Sequence, residues 1–216
     1  MTDLSKSPDR IARMFDAIAG RYDFLNHLLS AGIDRRWRRR AIQSLSLSGS
    51  ERVLDLCSGT ADLALAAIEA RPGAKRVVGV DFSAAMLRVG MGKIRRERLE
   101  GRVALVRGDA TRIPLADRSV DVVTVAFGIR NVENTAAACA EIFRILAPGG
   151  RLFAATDDAP YAIQIREVLS AQLSETPAGS PGRTTKFERL WRSRGREIHR
   201  MEFTPGALAQ VVQWIA

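Results

Sequence analysis

The sequence predicts an α/β fold with a doubly wound parallel sheet that is covered by helices on both faces. Short apolar segments alternate with longer helix-like segments between residues 49 and 156. Most of the short segments are apolar along their whole length, which is typical of strands in a buried parallel sheet. Right-handed crossovers through helices join strands of this kind.

A helical segment precedes the sheet. Apolar residues from Ile11 to Leu25, at spacings of three and four, predict an amphipathic helix over residues 9–29. Gly20 interrupts the pattern, so two short helices are an alternative. We divide the single predicted domain into a helical cap over residues 1–48, a sheet core over 49–156 and a diverged C-terminal segment over 157–216.

The sheet core contains five predicted strands with helices between them. The predicted strands are the apolar segments 52–57, 76–80, 102–107, 119–126 and 151–155. The predicted helices span 61–70, 84–99 and 134–146, and Pro148-Gly149-Gly150 is a typical stop for the last one. Beyond the core, only residues 208–215 have a helical pattern.

The composition excludes several classes of protein. No apolar run approaches the length that spans a bilayer, and the N-terminus lacks the apolar region of a secretory signal. Cys57 and Cys139 are too few for a disulfide framework, so we expect a reducing, cytoplasmic location. No His/Cys cluster has the spacing of metal ligands, so we expect no metal.

The charge is basic, with 33 Lys and Arg against 24 Asp and Glu and a formal net charge of +9. Such a charge favours anionic partners without choosing among nucleic acid, lipid headgroups and phosphates. The run from Arg35 to Arg40 holds five arginines. It is either a transient contact for an anionic membrane surface or a solvated helix face.

Four polar features follow four consecutive strands, at the edge where an open α/β sheet binds its ligands. They are residues 55–62, Asp81, residues 108–110 and residues 126–132. The first is a small turn that would bring a ligand close to backbone N–H groups. Asp81 follows at the distance of an acid that binds ribose hydroxyls. Asp109 is either a further ligand contact or a helix N-cap.

The first turn also narrows the choice of ligand. It has neither the G-x-G-x-x-G of a pyrophosphate site nor the lysine of a P-loop. A ligand with adenine and ribose but no phosphate fits better, and S-adenosylmethionine is the candidate cofactor. Its amino-acid end is expected at residues 55–60, its ribose at Asp81 and its adenine near Asp109 and Ala110.

Two further motifs are more specific. They are a Y-D-x-x-N…S-x-G-x-D-R-x-W block starting at Tyr22 and the block Phe127-Gly128-Ile129-Arg130-Asn131. In these motifs the chain resembles the UbiE/MenG/COQ5 family of quinone-biosynthesis C-methyltransferases, which are class I S-adenosylmethionine-dependent methyltransferases with a Rossmann-like sheet. The resemblance covers roughly Ile11 to Phe153.

The resemblance implies that Thr60, Asp81, Asp109 and Ala110 contact the cofactor. The same strand ends complete the predicted cofactor site with Asp55, Ser58, Gly59, Phe82, Ala126 and Phe127. Two positions depart from the family pattern. Ala126 stands where a serine is usual, which removes a hydroxyl contact, and Ala61 replaces the second glycine of the cofactor loop.

The reaction implied by the resemblance moves a methyl group from a sulfonium to a ring carbon of a prenylated quinol. Arg130 and Asn131 are the candidate catalytic residues, because they follow the fourth strand beside the expected methyl group. An arginine is nearly always charged, so Arg130 is expected to stabilise the phenolate or relay its proton through water. Alternatively, Arg130 pairs with Asp16 or Asp23 of the cap.

The cap has two interpretations. Tyr22, also a candidate catalytic residue, and the apolar face of Phe15, Leu25 and Leu28 would form a lid that shields the ring from water. Otherwise the N-terminal helix only packs on the core. We expect no nucleic acid partner, although an RNA methyltransferase is an alternative function, and a homo-oligomer is compatible with the sequence.

The C-terminal segment departs from the family. Relatives continue after Leu152 with Leu-Glu-Phe-Ser, and this chain has Phe153-Ala154-Ala155-Thr156. We expect a diverged or shortened segment without the last strands of the sheet, which leaves an exposed edge and a thin substrate wall. A cofactor-binding remnant with weak activity is therefore another alternative.

Overall fold

The computed structural model describes residues 8–29, 33–155, 167, 174–176, 202–204 and 209–211. Two helices come first, α1 (Pro8–Leu29) and α2 (Ile33–Ser44). Strands and helices then alternate as β1 (Arg52–Leu56), α3 (Asp62–Glu69), β2 (Arg76–Asp81), α4 (Ala84–Arg96), β3 (Val103–Arg107) and β4 (Val120–Ala126). A 3-10 turn (Ile129–Asn131), α5 (Thr135–Ile145), β5 (Leu146–Ala155), β6 (Ser174–Thr176), β7 (Glu202–Thr204) and β8 (Ala209–Val211) follow.

Within the described residues, six strands form one sheet in the order β3-β2-β1-β4-β5-β8, and every neighbouring pair is parallel. The chain runs outwards from β1 to β3 and then returns to the other side of β1 with β4. The strand order therefore reverses between β1 and β4, which opens a crevice at the carboxyl ends of these strands. The doubly wound parallel sheet predicted from the sequence is confirmed.

The sheet is buried because alternate residues of each strand pack on opposite faces. On one face Leu54 and Val123 pack with Ile142 of α5. On the other face Val53 and Val122 pack in a second apolar cluster. That cluster includes Ile42 of α2, Leu65 of α3 and Ile94 of α4. Burying both faces explains why the central strands read as continuous apolar segments.

Helix α1 is one continuous helix, so the alternative of two short helices is wrong. Gly20 lies in its interior. A glycine costs a helix only about 1 kcal/mol relative to alanine, and contacts of α1 with the core offset this cost. Ala19 is buried, and α1 packs along α4. Among the described residues, no helix combines the length and apolar character needed to cross a membrane.

Strand β5 begins five residues earlier than predicted. Helix α5 ends at Ile145, and Leu146 already pairs with Val120 of β4. The pairing is irregular between Val120 and Val122, which accommodates Pro148 and the following glycines within the strand. The predicted helix stop is thus confirmed, but the residues after it belong to an irregular strand rather than to a free turn.

The C-terminal segment differs most from its prediction. Residues 209–211, predicted as helical, form β8 and pair with residues 150–152 of β5. The unpaired N–H and C=O groups of an edge strand favour this pairing over the local helical pattern. The expected exposed edge at β5 is therefore covered in this stretch. The basic segment 187–200, with His199, lies outside the described residues.

Candidate active site

A cavity of about 1100 Å³ lies at the carboxyl ends of β1 to β4, beneath α1. It brings together most of the residues predicted from the sequence. Those that line it are Tyr22, Gly59, Asp81, Phe82, Asp109, Ala110, Ala126, Phe127, Arg130 and Asn131. Asp55, Ser58 and Thr60 do not line it.

Asp81 is the buried acid of this cavity, with 8% of its surface exposed. Its Oδ2 accepts a hydrogen bond from the Gly59 N–H at 2.8 Å, and its Oδ1 accepts one from the Ser83 N–H at 2.9 Å. Burial raises the pKa of Asp81, while these two bonds act in the opposite direction. Each carboxylate oxygen has two lone pairs, so both keep an acceptor site for a ligand hydroxyl.

Three backbone N–H groups of the loop between β1 and α3 donate within the protein, two of them to β2. The Ser58 N–H donates to the Val80 carbonyl, the Gly59 N–H to Asp81 and the Ala61 N–H to the Ser58 carbonyl. These three N–H groups are therefore occupied within the protein, and the approach of a ligand to the other N–H groups at the start of α3 stays a prediction. The neighbouring strand β2 ends beside this loop and supplies its acceptors, which the local sequence does not reveal.

Thr60 is buried with its hydroxyl directed at charged partners. Its Oγ1 donates to Asp23 Oδ1 at 2.6 Å and accepts from Lys93 Nζ at 3.0 Å. Lys93 also pairs with Asp23 and Asp62, and Asp62 pairs in turn with Arg38. The Thr60 side chain thus joins the cap to α4, and its contact with a cofactor stays a prediction.

Asp55 and Ser58 lie behind the cavity. Asp55 is 3% exposed and accepts a hydrogen bond from Thr124 Oγ1 at 3.0 Å. Burial raises the pKa of Asp55 to about 7, partly offset by that bond. Asp55 Oδ2 and Ser58 Oγ are buried without a hydrogen-bond partner among the described residues. Buried polar atoms of this kind are uncommon, because most form at least one hydrogen bond with the protein or with ordered water.

The loop after β4 fits tightly against the loop after β1. A Cβ on Gly128 would lie 2.1 Å from the Cβ of Cys57, so no other residue fits there without a shift. Cys57 and Phe127 both have φ of 57°, in the left-handed region. Cys57 also lines the cavity. The sequence did not identify it as a site residue, although it ends the first predicted strand.

Arg130 and Asn131 follow this contact in the 3-10 turn. Ile129, the residue directly before Arg130, is 1% exposed and anchors the turn in the core. The guanidinium carbon of Arg130 lies 6.0 Å from the centre of the Phe127 ring. The turn therefore presents Arg130 and Asn131 at the cavity wall, next to an aromatic ring.

The residues just before α5 and its first turn extend the same wall. Glu133 and Asn134 line the cavity, and Asn134 caps α5 by accepting from the Ala137 N–H at 3.0 Å. Prediction from sequence missed both residues. The capping position of Asn134, directly after the Phe-Gly-Ile-Arg-Asn block, was the available signal.

Helix α1 covers the cavity with an aromatic pair. The rings of Phe15 and Tyr22 are 6.3 Å apart, with an angle of 72° between their planes. Both line the cavity, whereas the side chains of Leu25 and Leu28 lie outside the described residues. Asp16 and Asp23 bond to Ser83 and Lys93, respectively, instead of forming the alternative pair with Arg130.

The loop after β3 is held from α5. Asp109 Oδ1 accepts a hydrogen bond from the Thr111 N–H at 2.8 Å. Asp109 also forms an isolated β-bridge with Arg112, and no helix begins directly after it, so the N-cap alternative is wrong. Arg144 donates to the carbonyls of Ile113 and Leu115, both at 2.8 Å. This clamp fixes the segment that carries Asp109 and Ala110.

Comparisons with known proteins agree with this geometry. A family model described as the ubiE/COQ5 methyltransferase family matches residues 1–167. The ubiquinone/menaquinone biosynthesis C-methyltransferase UbiE of Geobacter sp. (strain M21) is 43% identical over 152 residues, which are 70% of this chain and 65% of that relative. The demethylmenaquinone methyltransferase of Porphyromonas gingivalis is 43% identical over 144 residues, 67% of this chain and 59% of that relative. The match thus spans less than two thirds of each relative.

Solved structures share the fold at lower identity. The [4+2]-cyclase SpnF has a TM-score of 0.65 and 22% identity, covering 79% of this chain and 73% of that chain. An S-adenosylmethionine-dependent methyltransferase of Aquifex aeolicus has a TM-score of 0.56 and 18% identity, covering 64% of this chain and 80% of that chain. The sheet is the Rossmann-like one of class I methyltransferases. With the family model matching most of its length, the chain belongs to the ubiE/COQ5 methyltransferase family.

Proposed function

We propose that the protein is an S-adenosylmethionine-dependent C-methyltransferase that methylates a ring carbon of a prenylated quinol, converting demethylmenaquinol to menaquinol. The observation that carries this proposal is a single cavity with Asp81 on one wall and Arg130, Asn131 and the aromatic pair of α1 on the others. Family membership and the activities for which the two relatives are named support it.

The chemistry of the cavity fits S-adenosylmethionine. The free acceptor sites of Asp81 suit the two ribose hydroxyls, and Asp109 and Ala110 stand at the place proposed for adenine. The amino-acid end would lie against the loop after β1, where Cys57 and Gly59 line the cavity. Asp55 and Ser58, which lie behind this loop, stay predicted contacts. Ala126, Phe82 and Phe127 complete the proposed contacts.

The volume of the cavity lies just above the range of pockets for one small ligand. Such pockets occupy about 300–1000 Å³, and this cavity measures about 1100 Å³. We propose that the cofactor and the ring of an acceptor share it. The acceptor side is bounded by Phe15, Tyr22 and Phe127, which provide apolar surface for an aromatic ring.

The proposed catalytic step depends on charge at the acceptor side. The bound cofactor supplies an electrophilic methyl group. Arg130 stabilises the phenolate formed when the ring hydroxyl passes its proton to a water molecule, which raises the electron density on the neighbouring carbon. Once methylated, that carbon loses its own proton to water, and the ring regains its aromaticity. Asn131 orients the ring by hydrogen bonding, and Tyr22 with Phe15 excludes water from the reacting carbon.

Calorimetric titration followed by an activity assay tests this function. We expect S-adenosylmethionine to bind with one site per chain, and labelled methyl groups to appear in a short-chain demethylmenaquinol. Cofactor binding without transfer to any quinol would indicate the binding remnant instead. Transfer to RNA but not to quinol would favour the alternative RNA methyltransferase.

We further propose that the protein works at the cytoplasmic face of the membrane, where prenylated quinols reside, through the basic run from Arg35 to Arg40. Arg39 and Arg40 of α2 are exposed, whereas Arg38 turns inward to pair with Asp62. An exposed arginine near an anionic surface contributes about 1 kcal/mol of attraction.

Sedimentation with vesicles tests the membrane contact. We expect binding to phosphatidylglycerol vesicles that weakens in salt, and loss of this binding in the Arg39→Ala/Arg40→Ala variant. Lys75→Ala/Arg76→Ala removes two exposed cations at the start of β2 and serves as the matched control. Equal loss in both variants would show that net charge alone attracts the vesicles.

A further inference from the structure

Helix α1 reaches the sheet core through two carboxylates. Asp16 and Asp23 are seven residues apart and therefore lie on one side of the helix. Asp16 Oδ1 accepts from Ser83 Oγ at 2.5 Å and from the Ala85 N–H at 3.1 Å. The Ser83 bond is the largest cause of the lowered pKa of Asp16.

The second carboxylate binds a different loop. Asp23 Oδ1 accepts from Thr60 Oγ1 at 2.6 Å, and its Oδ2 lies 2.6 Å from Lys93 Nζ. Thr60 is buried and Lys93 is mostly buried, so these bonds are shielded from solvent and weakened little by salt. The helix is thus fixed at two points, two turns apart.

Both points are one step from Asp81. The backbone N–H of Ser83 donates to Asp81 Oδ1, and the N–H of Gly59, the residue before Thr60, donates to Asp81 Oδ2. Each oxygen of Asp81 is therefore held by a loop whose side chain is bonded to α1. The two halves of this arrangement meet at a single carboxylate.

The residues before the two carboxylates form the aromatic wall. Phe15 precedes Asp16, Tyr22 precedes Asp23, and both rings line the cavity. The docked position of α1 therefore sets two things together. It fixes the loops that orient Asp81, and it places the apolar surface against which an acceptor ring would lie.

We infer that Asp16 and Asp23 are positioning residues that couple cofactor binding at Asp81 to the docking of α1. This inference rests on the proposed function, which assigns Asp81 to the cofactor. The coupling is reciprocal by thermodynamic necessity. If docked α1 strengthens cofactor binding, the bound cofactor stabilises docked α1 by the same factor, and the aromatic wall is most complete when the cofactor is present.

Titration of the full-length chain with S-adenosylhomocysteine, which carries no transferable methyl group, tests the coupling. We expect Asp16→Ala and Asp23→Ala each to weaken binding about tenfold, within the range of ordinary allosteric couplings. Asp16→Asn should restore most of the affinity, because its amide oxygen still accepts from Ser83 and Ala85. Asp121→Ala, which breaks an ion pair with Arg52 away from the cavity, is the matched control and should bind normally.

Hydrogen exchange supplies the reciprocal measurement. We expect S-adenosylhomocysteine to slow exchange of the α1 amides in the wild-type chain and to slow it much less in Asp16→Ala. If Asp23→Ala fails to fold, Thr60→Val removes the same bond while keeping the side-chain shape. In an Asp81→Asn background the effect of Asp16→Ala on affinity should shrink, since contacting residues are not additive.

The outcomes separate the two proposals. A wild-type chain that does not bind S-adenosylhomocysteine contradicts the proposed function and the coupling with it. Normal binding with unchanged α1 exchange, or with unchanged affinity in Asp16→Ala, overturns the coupling and leaves the proposed function standing. Additive effects of Asp16→Ala and Asp81→Asn would assign α1 a structural role alone.

Discussion

Two neighbouring strands each carry one aspartate, β4 near its amino end and β1 near its carboxyl end. The two carboxylates have opposite surroundings. At the amino ends, Asp121 is partly exposed and paired with Arg52, whose Nη2 lies 2.8 Å from Asp121 Oδ1. This bond lowers the pKa of Asp121. Near the carboxyl ends, Asp55 is buried beside the Thr124 hydroxyl, and burial raises its pKa to about 7.

Left-handed backbone occurs at both ends of the strands, since Ser46, Arg98 and Arg118, which precede β1, β3 and β4, also have positive φ. The carboxyl ends of these strands lead into Cys57, Ala61 and Phe127, all non-glycine residues with positive φ. Left-handed backbone costs such residues roughly 1–2 kcal/mol each. The carboxyl ends differ in that two of these residues, Cys57 and Phe127, line the cavity.

The largest expected effect is a loss of activity from a substitution at the carboxyl ends of the strands, compared with one at the amino ends. If the proposed function holds, Arg130→Ala should reduce methyl transfer about 10²–10³-fold, as loss of an oxyanion donor does. Its cofactor affinity and unfolding midpoint should change little. Arg52→Ala should instead leave transfer intact and lower the free energy of unfolding by about 1 kcal/mol or less, as for an exposed ion pair. Kinetic assays and urea unfolding of both variants provide the comparison.

Equal losses of activity and stability in Arg130→Ala would contradict this division. They would show that Arg130 supports the loop after β4 rather than the reaction.

The second prediction uses pH. The folded state favours protonated Asp55, because its pKa rises to about 7 on folding. Its contribution to the free energy of unfolding therefore falls as the pH rises from about 4, its value in the unfolded chain, to about 7. Asp55→Asn should remove this fall and gain about 2–4 kcal/mol relative to wild type between these pH values. Urea unfolding at a series of pH values measures the difference.

The difference in the free energy of unfolding between wild type and Asp121→Asn should depend on pH in the opposite direction to that for Asp55→Asn. The lowered pKa of Asp121 gives stability above about pH 4 that is lost as the pH falls through its folded value. The effect should be smaller, because the pair with Arg52 is partly exposed.

One outcome would contradict the Asp55 prediction. If the free energies of unfolding of wild type and Asp55→Asn change with pH in parallel, Asp55 has a compensating partner in the folded state.

The third prediction concerns close packing. Gly128→Ala brings a Cβ against the Cβ of Cys57, so it should lower the free energy of unfolding by about 1–3 kcal/mol. Cys57→Gly combined with Gly128→Ala should recover part of the loss, because it removes the clashing atom. Gly101→Ala, before β3 at the amino ends, has no heavy atom within 4 Å of its new Cβ and should be neutral. An unaffected Gly128→Ala would show that the two loops separate easily.

Strands β1 to β4 could be predicted closely, and the edge strand β8 could not. β1, β2 and β4 are largely buried on both faces, so their burial requirement appears directly as apolar sequence. β3 lies at the other edge, and its residues Val103 and Leu105 still pack on the core. β8 has three residues and forms because β5 offers unpaired backbone groups. That opportunity is a property of another part of the chain, and residues 208–215 carry no local sign of it.

The site divides in the same way. Parallel topology alone gathers strand ends at one edge, which is why Asp81, Asp109 and Arg130 were predicted together and line one cavity. The orientation of Thr60 was not predictable, because its partners Asp23 and Lys93 lie 37 and 33 residues away in the chain. The contact between Cys57 and Gly128 likewise joins loops of different strands.

The sequence by itself determined the alternation of strands and helices, the edge at which the polar residues gather and the family to which the motifs belong. These follow from local periodicity and from residue identity. Only the tertiary structure decided which side chains face the cavity, which ones fasten α1 to the core and where the last strand pairs. Those outcomes depend on hydrogen bonds and packing between distant segments, whose free energies exist only after the chain has folded.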